Sequence, residues 1–204
     1  MRIAIASVAT AILLAVIAGV TVIYSGAYYV GADQPHWSVT SWLLNEARIR
    51  SIRSHAAGIT VPPGLDDRAK ILVGVTHFAE HCVVCHGAPG VPPDDIAKGL
   101  YPRPPDLAGA ARFYTPSELF WIIKHGIKMS GMPAWADHSD DELWATVAFL
   151  EELTELSAQD YAKLIAESQA QGGHHHEVHE TQPQPGVVQP PGGLDRNQPA
   201  GHQH

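Results

Sequence analysis

Cys82 and Cys85 are separated by two residues and followed directly by His86, and they are the only two cysteines in the chain. Two thiols at this spacing can form thioethers to the vinyl groups of a haem, while the adjoining imidazole can bind its iron. The motif therefore predicts one covalently attached haem c. The alternative interpretation is a disulfide or a redox-active dithiol, with His86 incidental.

The haem iron can bind a second protein ligand, and a methionine downstream of the motif is the expected residue. Met132 and Met129 are the candidates. Met132 lies between Gly131 and Pro133, which favour a tight, rigid loop that can hold a thioether towards a flat ligand. Met129 can instead be an ordinary packing residue. His125 is the rival nitrogen ligand, although its position at a predicted helix end favours an interaction with the helix dipole.

Three segments together resemble the single-haem class I cytochromes c. They are CVVCH at 82–86, GIKMSGMPAW at 126–135 and DDELWATVAFL at 140–150. Within this family, the chain resembles the membrane-anchored subgroup. That subgroup is related to the cytochrome subunits of terminal oxidases and quinoprotein dehydrogenases. The resemblance covers residues 66–156.

This resemblance implies an all-α, class I cytochrome c fold around one covalent haem. It assigns Cys82 and Cys85 as the attachment points, His86 as the proximal iron ligand and Met132 as the distal ligand. It implies electron transfer but does not name a partner.

Helical periodicity independently predicts the first and last helices of such a fold. Asp66 and Asp67 place acidic residues at the start of the first helix, and apolar residues then recur at helical spacing up to the haem motif. Gly74 and Phe78 resemble the glycine and aromatic residue that let the first helix of these cytochromes cross the last one closely.

The last helix is predicted to begin at the capping run Ser139–Glu142 and to place Trp144 and Phe149 in the core. A third helix is predicted over 117–125. Residues 87–116 are rich in proline and glycine, so we expect an ordered loop there rather than regular structure.

Tyr101, Arg103 and Trp135 are candidates for hydrogen bonds to the haem propionates, because a phenol, a guanidinium and an indole N–H each donate to carboxylates. A solvated loop charge is the alternative for Arg103. The segment 104–107 is expected to line the proximal side, where a backbone carbonyl can accept from the unligated nitrogen of His86 and fix its ring.

Residues 1–32 predict a transmembrane signal anchor. From Ile3 to Ala32 the chain has no charged residue, and its apolar run reaches the roughly 20 residues that span a bilayer. Since the apolar core of a cleaved signal peptide is only about 7–15 residues, an uncleaved anchor is favoured, with cleavage after Ala27 or Ala32 as the alternative. Haem attachment in the resembling bacterial family occurs outside the cytoplasmic membrane. We therefore expect a single-pass protein of the inner membrane, with residues 33–204 in the periplasm.

Two further segments flank the predicted haem domain of residues 66–156. Residues 33–65 are predicted to be a juxtamembrane linker, in which 36–57 predict a short aromatic and basic helix that suits a membrane interface or serves equally as a plain spacer. Residues 157–171 predict a C-terminal helix. Residues 172–204 are rich in proline, glycine and histidine with few large apolar side chains, and so predict a disordered tail. Its histidines can bind copper, nickel or zinc, or the tail can be a solvated segment with adventitious affinity.

The formal net charge of −8 disfavours a nucleic-acid partner. The haem motif and the two candidate iron ligands predict an electron carrier and not an enzyme. Redox proteins such as a terminal oxidase, a quinol-oxidising complex or a dehydrogenase are the expected donor and acceptor. One alternative is a haem enzyme or gas sensor with a labile sixth ligand. Another is a periplasmic metal-handling protein that uses the histidine-rich tail.

Overall fold

The computed structural model describes residues 1–172, which contain helices and no strand. In this part of the chain the all-α prediction is confirmed. The helices are α1 (Arg2–Ser25), α2 (Ser38–Ala56), α3 (Arg68–His81), α4 (Val83–His86), α5 (Asp95–Lys98), α6 (Leu107–Phe113), α7 (Pro116–His125), α8 (Asp140–Leu153) and α9 (Ala158–Gly172). The predicted disordered tail lies outside the described residues, except for Gly172, which ends α9.

Helices α3 and α8 cross at the centre of the domain, and Gly74 sets how closely they approach. A Cβ atom built on Gly74 would lie 1.9 Å from the carbonyl oxygen of Ala145, so the two helices are in backbone contact there. One turn further along α3, Phe78 is fully buried and packs on Phe149 with ring centroids 4.9 Å apart. The predicted glycine and aromatic pair at this crossing is confirmed.

Gly74→Ala is expected to destabilise the protein by about 3 kcal/mol, because the new methyl group can be accommodated only by moving one helix backbone away from the other. Chemical denaturation of the haem-loaded protein measures this as a lower free energy of unfolding. Gly58→Ala is the matched control, since a Cβ at Gly58 meets no atom within 4 Å. Equal stability of the two variants would show that the crossing is not set by this contact.

Three helices complete the core around this crossing. Helix α7 brings Phe120 into a stacked contact with Trp144, with ring centroids 4.3 Å apart. Helix α6 packs against α8, and α9 lies against α3 with Tyr161 beside Phe78. As predicted, Trp144 and Phe149 are both buried.

Side-chain caps explain where the longer helices begin. Asp67 accepts from the backbone N–H of Ala69 at the start of α3. Ser139 and Glu142 form a reciprocal capping box at the start of α8, as the sequence predicts. Because these caps satisfy N–H groups that have no partner inside the helix, they define the helix starts from local sequence alone.

The expectation of loop without regular structure over residues 87–116 is wrong in part, since α5 and α6 lie within it. Asp94 caps α5, and Asp106 caps α6 by accepting from the N–H of Gly109 at 2.9 Å. Helix α6 also buries Ala111 and packs on α8. Local caps and tertiary packing therefore outweigh the turn-forming composition of this segment.

Helix α1 has 24 residues, an 18-residue window within it has a mean hydropathy of 2.6, and none of its side chains is buried. At 1.5 Å per residue it is about 36 Å long, which exceeds the roughly 30 Å hydrocarbon core of a bilayer. Its length and composition suit a membrane span, and a signal sequence meets the same criteria. The linker that follows contains the predicted helix α2, which packs against α7.

Candidate haem site

The two cysteines lie one turn apart where α3 ends and α4 begins. Cys82 is the C-cap residue of α3, and its carbonyl oxygen accepts from the N–H of His86 at 2.9 Å. Both thiols are free and half-buried. Burial raises the pKa of the Cys82 thiol to about 12, with the neighbouring Cys85 adding to the shift. A redox dithiol works through a thiolate of lowered pKa, so this environment argues against that alternative.

His86 is held by the backbone of the loop that precedes α6. Its Nδ1 lies 2.9 Å from the carbonyl oxygen of Pro105. Because a carbonyl only accepts, Nδ1 carries the proton and Nε2 keeps a free lone pair. Burial lowers the pKa of the ring, which favours the neutral, ligand-competent imidazole. The predicted orientation of His86 by a carbonyl of segment 104–107 is therefore confirmed.

A tight loop after α7 positions Met132. Gly126 ends α7 at φ 63°, and a Cβ there would lie 2.6 Å from the backbone of Pro133. This conformation needs glycine and lets the loop fold back on itself. Within the loop, Met132 donates its N–H to the Ser130 hydroxyl at 3.2 Å, and its carbonyl accepts from Ile127 at 3.2 Å. Met132 is half-buried and packs against the hydrophobic core.

The two rival ligands lie in more open positions. Met129 is 76% exposed and adopts φ 60° at the turn of the loop. His125 is the last residue of α7, is exposed, and packs its ring beside Trp121 with centroids 5.0 Å apart. Of the two methionines in this loop, Met132 is therefore the one shielded by the domain.

The three candidate propionate donors occupy different surroundings. The Tyr101 hydroxyl accepts from the backbone N–H of His36 at 3.0 Å, which ties the loop to the juxtamembrane linker. Arg103 is exposed. Trp135 is half-buried and lies against three histidines, with its ring centroid 4.7 Å from that of His81. No described contact joins these three side chains to one another.

His77, His81 and His138 form a cluster that was not predicted from the sequence. Their ring nitrogens all lie within 4.8 Å of one another. Burial and the two neighbouring imidazoles lower the pKa of His77 to about 4, so this ring is neutral at physiological pH. Residues four apart on a helix lie on the same face, so the proximity of His77 and His81 could have been predicted from the sequence. The third member comes from a distant loop and has no such signal.

Residues 69–150 match the family described as cytochrome C oxidase, cbb3-type, subunit III. This segment is a cytochrome c domain. The match runs from the start of α3 into α8 and contains both the Cys82–His86 motif and the Met132 loop. The cofactor of a cytochrome c domain is covalently bound haem c, and its general activity is electron transfer. No curated protein matches the chain.

The side chains of the domain fit this cofactor. Cys82 and Cys85 offer two free thiols one helical turn apart. His86 offers a neutral imidazole with its Nε2 lone pair available, and Met132 offers a half-buried thioether. This donor set is the one by which a histidine–methionine haem c is attached and ligated.

Proposed function

We propose that this chain is a membrane-anchored electron carrier whose cytochrome c domain lies in the periplasm. Cys82 and Cys85 attach one haem c covalently, and His86 and Met132 are the axial ligands of its iron. Haem c, when bound, supplies reversible one-electron chemistry between Fe(III) and Fe(II).

The hydrogen bond from His86 Nδ1 to the Pro105 oxygen is the observation that carries this proposal. A carbonyl that accepts from the other ring nitrogen orients a metal-binding histidine and makes it more basic. Met132 supports the same conclusion, because its loop is held by the Ser130 hydroxyl and by Ile127. Two ligands that are both held by the protein favour a closed coordination sphere and hence a carrier over an enzyme.

Surrounding residues support a dry and rigid site. Phe78, Val147 and Phe149 are fully buried where α3 and α8 pack together, so water is excluded from the protein core next to the helix that ends at Cys82. We also propose that Tyr101, Arg103 and Trp135 donate to the haem propionates. Replacing the phenol, the guanidinium or the indole N–H of these residues would leave the negative charge of a propionate with one hydrogen-bond donor fewer.

The apolar helix α1 supports the membrane location, and covalent haem attachment supports the periplasmic side. The net charge of −8 suits redox partners with basic docking surfaces. A terminal oxidase, a quinol-oxidising complex or a periplasmic dehydrogenase has the chemistry required of a donor or acceptor.

Reoxidation of the reduced holoprotein tests the carrier assignment. Purified in detergent and reduced, the protein is expected to react slowly with dioxygen or hydrogen peroxide by itself. Adding membranes of the producing cell that contain an active terminal oxidase is expected to accelerate reoxidation, and cyanide is expected to abolish the acceleration. Rapid turnover of either oxidant by the isolated protein would support the enzyme alternative instead.

Cell fractionation tests the anchor. The full chain is expected to stay with the membrane after high salt and alkaline carbonate, because α1 exposes an apolar surface over 24 residues. A variant with two central leucines replaced, Leu13→Arg and Leu14→Arg, is expected to lose this resistance. Haem protein found in the soluble periplasm, with an N-terminus near Tyr28 or Asp33, would show that the segment is cleaved.

A further inference from the structure

Three histidines outside the haem ligand set meet beside the crossing of α3 and α8. His77 and His81 lie one turn apart on α3, and His138 lies in the loop that leads into α8. Ring centroids are separated by 4.6 Å for His77 and His81, 4.8 Å for His77 and His138, and 5.3 Å for His81 and His138. The three imidazoles therefore form a compact triangle whose nitrogens share one small space.

Hydrogen bonding places the proton of the buried His77 ring. Thr146 Oγ1 donates its proton to the carbonyl oxygen of Glu142 at 2.9 Å. The same oxygen lies 2.9 Å from His77 Nδ1, so it accepts from that nitrogen. His77 Nε2 is left with a lone pair directed into the cluster, where it accepts from His138 Nδ1 at 3.2 Å and where a bound ion would take the place of that proton. Metal-binding histidines are commonly held in this way, donating from one nitrogen and binding through the other.

The spacing of the nitrogens fits a tetrahedral metal ion. Nitrogen ligands about 2.0–2.1 Å from zinc are separated from one another by about 3.3–3.4 Å in a tetrahedron. His77 Nε2 and His138 Nδ1 are 3.2 Å apart, and the ligand atom of His81 lies within 4.8 Å of both.

We propose that His77, His81 and His138 form a binding site for a divalent transition-metal ion, separate from the haem iron. Three imidazoles select borderline ions such as Zn²⁺ and Cu²⁺ over Mg²⁺ or Ca²⁺, which prefer oxygen ligands. His81 and His138 are half-buried, so the fourth coordination position faces solvent and takes a water molecule or an exogenous ligand.

Two neighbouring side chains suit a bound cation. Hydrogen bonds from Ser139 lower the pKa of the Glu142 carboxyl, so Glu142 supplies a negative charge close to the cluster. Trp135 packs against all three imidazoles and covers one side of the cluster. The site thus combines a buried ligand, a nearby negative charge and a partly apolar cover.

Zinc binding to the haem-loaded full chain tests the proposal without reference to electron transfer. The six tail histidines are replaced by asparagine in the test protein, so that His174, His175, His176, His179, His202 and His204 do not compete. Equilibrium dialysis with Zn²⁺ is expected to give one tightly held zinc per chain. Zinc X-ray absorption is expected to show three imidazole nitrogens at about 2.0 Å. No bound zinc, or zinc with fewer than two imidazoles, would overturn the proposal.

Single substitutions then assign the ligands. His81→Gln and His138→Gln are each expected to weaken zinc binding at least tenfold, while His55→Gln, at an exposed position outside the cluster, is expected to leave it unchanged. The haem absorption spectrum of each variant checks folding and haem insertion. Unchanged zinc affinity in both cluster variants would show that the triangle is a packed aromatic cluster and not a metal site.

Discussion

Cys82→Ala and Cys85→Ala are each expected to abolish stable holoprotein. A single remaining thiol leaves the haem with one tether, and the double substitution leaves it with none. Mass spectrometry after extraction with acidified organic solvent measures the outcome as the loss of one covalently bound haem per chain.

Val84→Ala is the matched control for the cysteine variants, because Val84 lies between the two cysteines and is 45% exposed. It is expected to retain covalent haem and a wild-type absorption spectrum. Haem that the solvent extracts from the wild-type protein, or haem that stays covalently attached when both cysteines are alanine, would contradict the assigned attachment points.

Met132→Ala is expected to open the sixth coordination position of the iron. Loss of the thioether should remove the weak near-infrared band of sulfur-to-iron charge transfer and allow carbon monoxide to bind the ferrous protein. The reduction potential should fall by on the order of 100 mV, since a methionine ligand stabilises the ferrous form. Optical spectroscopy and redox titration measure these changes.

Met129→Ala is the control for the axial methionine. Met129 lies three residues earlier in the same loop but is 76% exposed, so its truncation should leave the band and the potential unchanged. The opposite outcome, with Met129→Ala removing the band and Met132→Ala retaining it, would reassign the distal ligand.

The parts of the structure that local sequence determines were predictable. Asp67 and Ser139 cap α3 and α8 where the sequence places them, because a capping side chain acts on backbone groups within three residues. The crossing at Gly74 and the acceptor for His86 near Pro105 were also predictable, in this case through the family resemblance and the position of the loop.

Features that depend on tertiary packing were not predictable in the same way. Helix α6 forms in a proline-rich segment because Asp106 caps its start and because the helix packs against α8. The Tyr101 hydroxyl is engaged by His36, which comes from a separate element of the linker. His138 lies beside the two histidines of α3 only because α3 and α8 pack together. The spacing of these residues along the sequence does not predict that contact.

The coordination state of the wild-type iron is the most direct test of the electron-carrier proposal. If His86 and Met132 both bind, the iron is low-spin in both oxidation states and shows the near-infrared sulfur band in the ferric form. The ferrous protein then binds carbon monoxide poorly at neutral pH. Electron paramagnetic resonance of the ferric protein, together with carbon monoxide titration of the ferrous protein, measures both properties. A high-spin ferric iron together with ready carbon monoxide binding would contradict the carrier assignment and support an open-site haem enzyme or gas sensor.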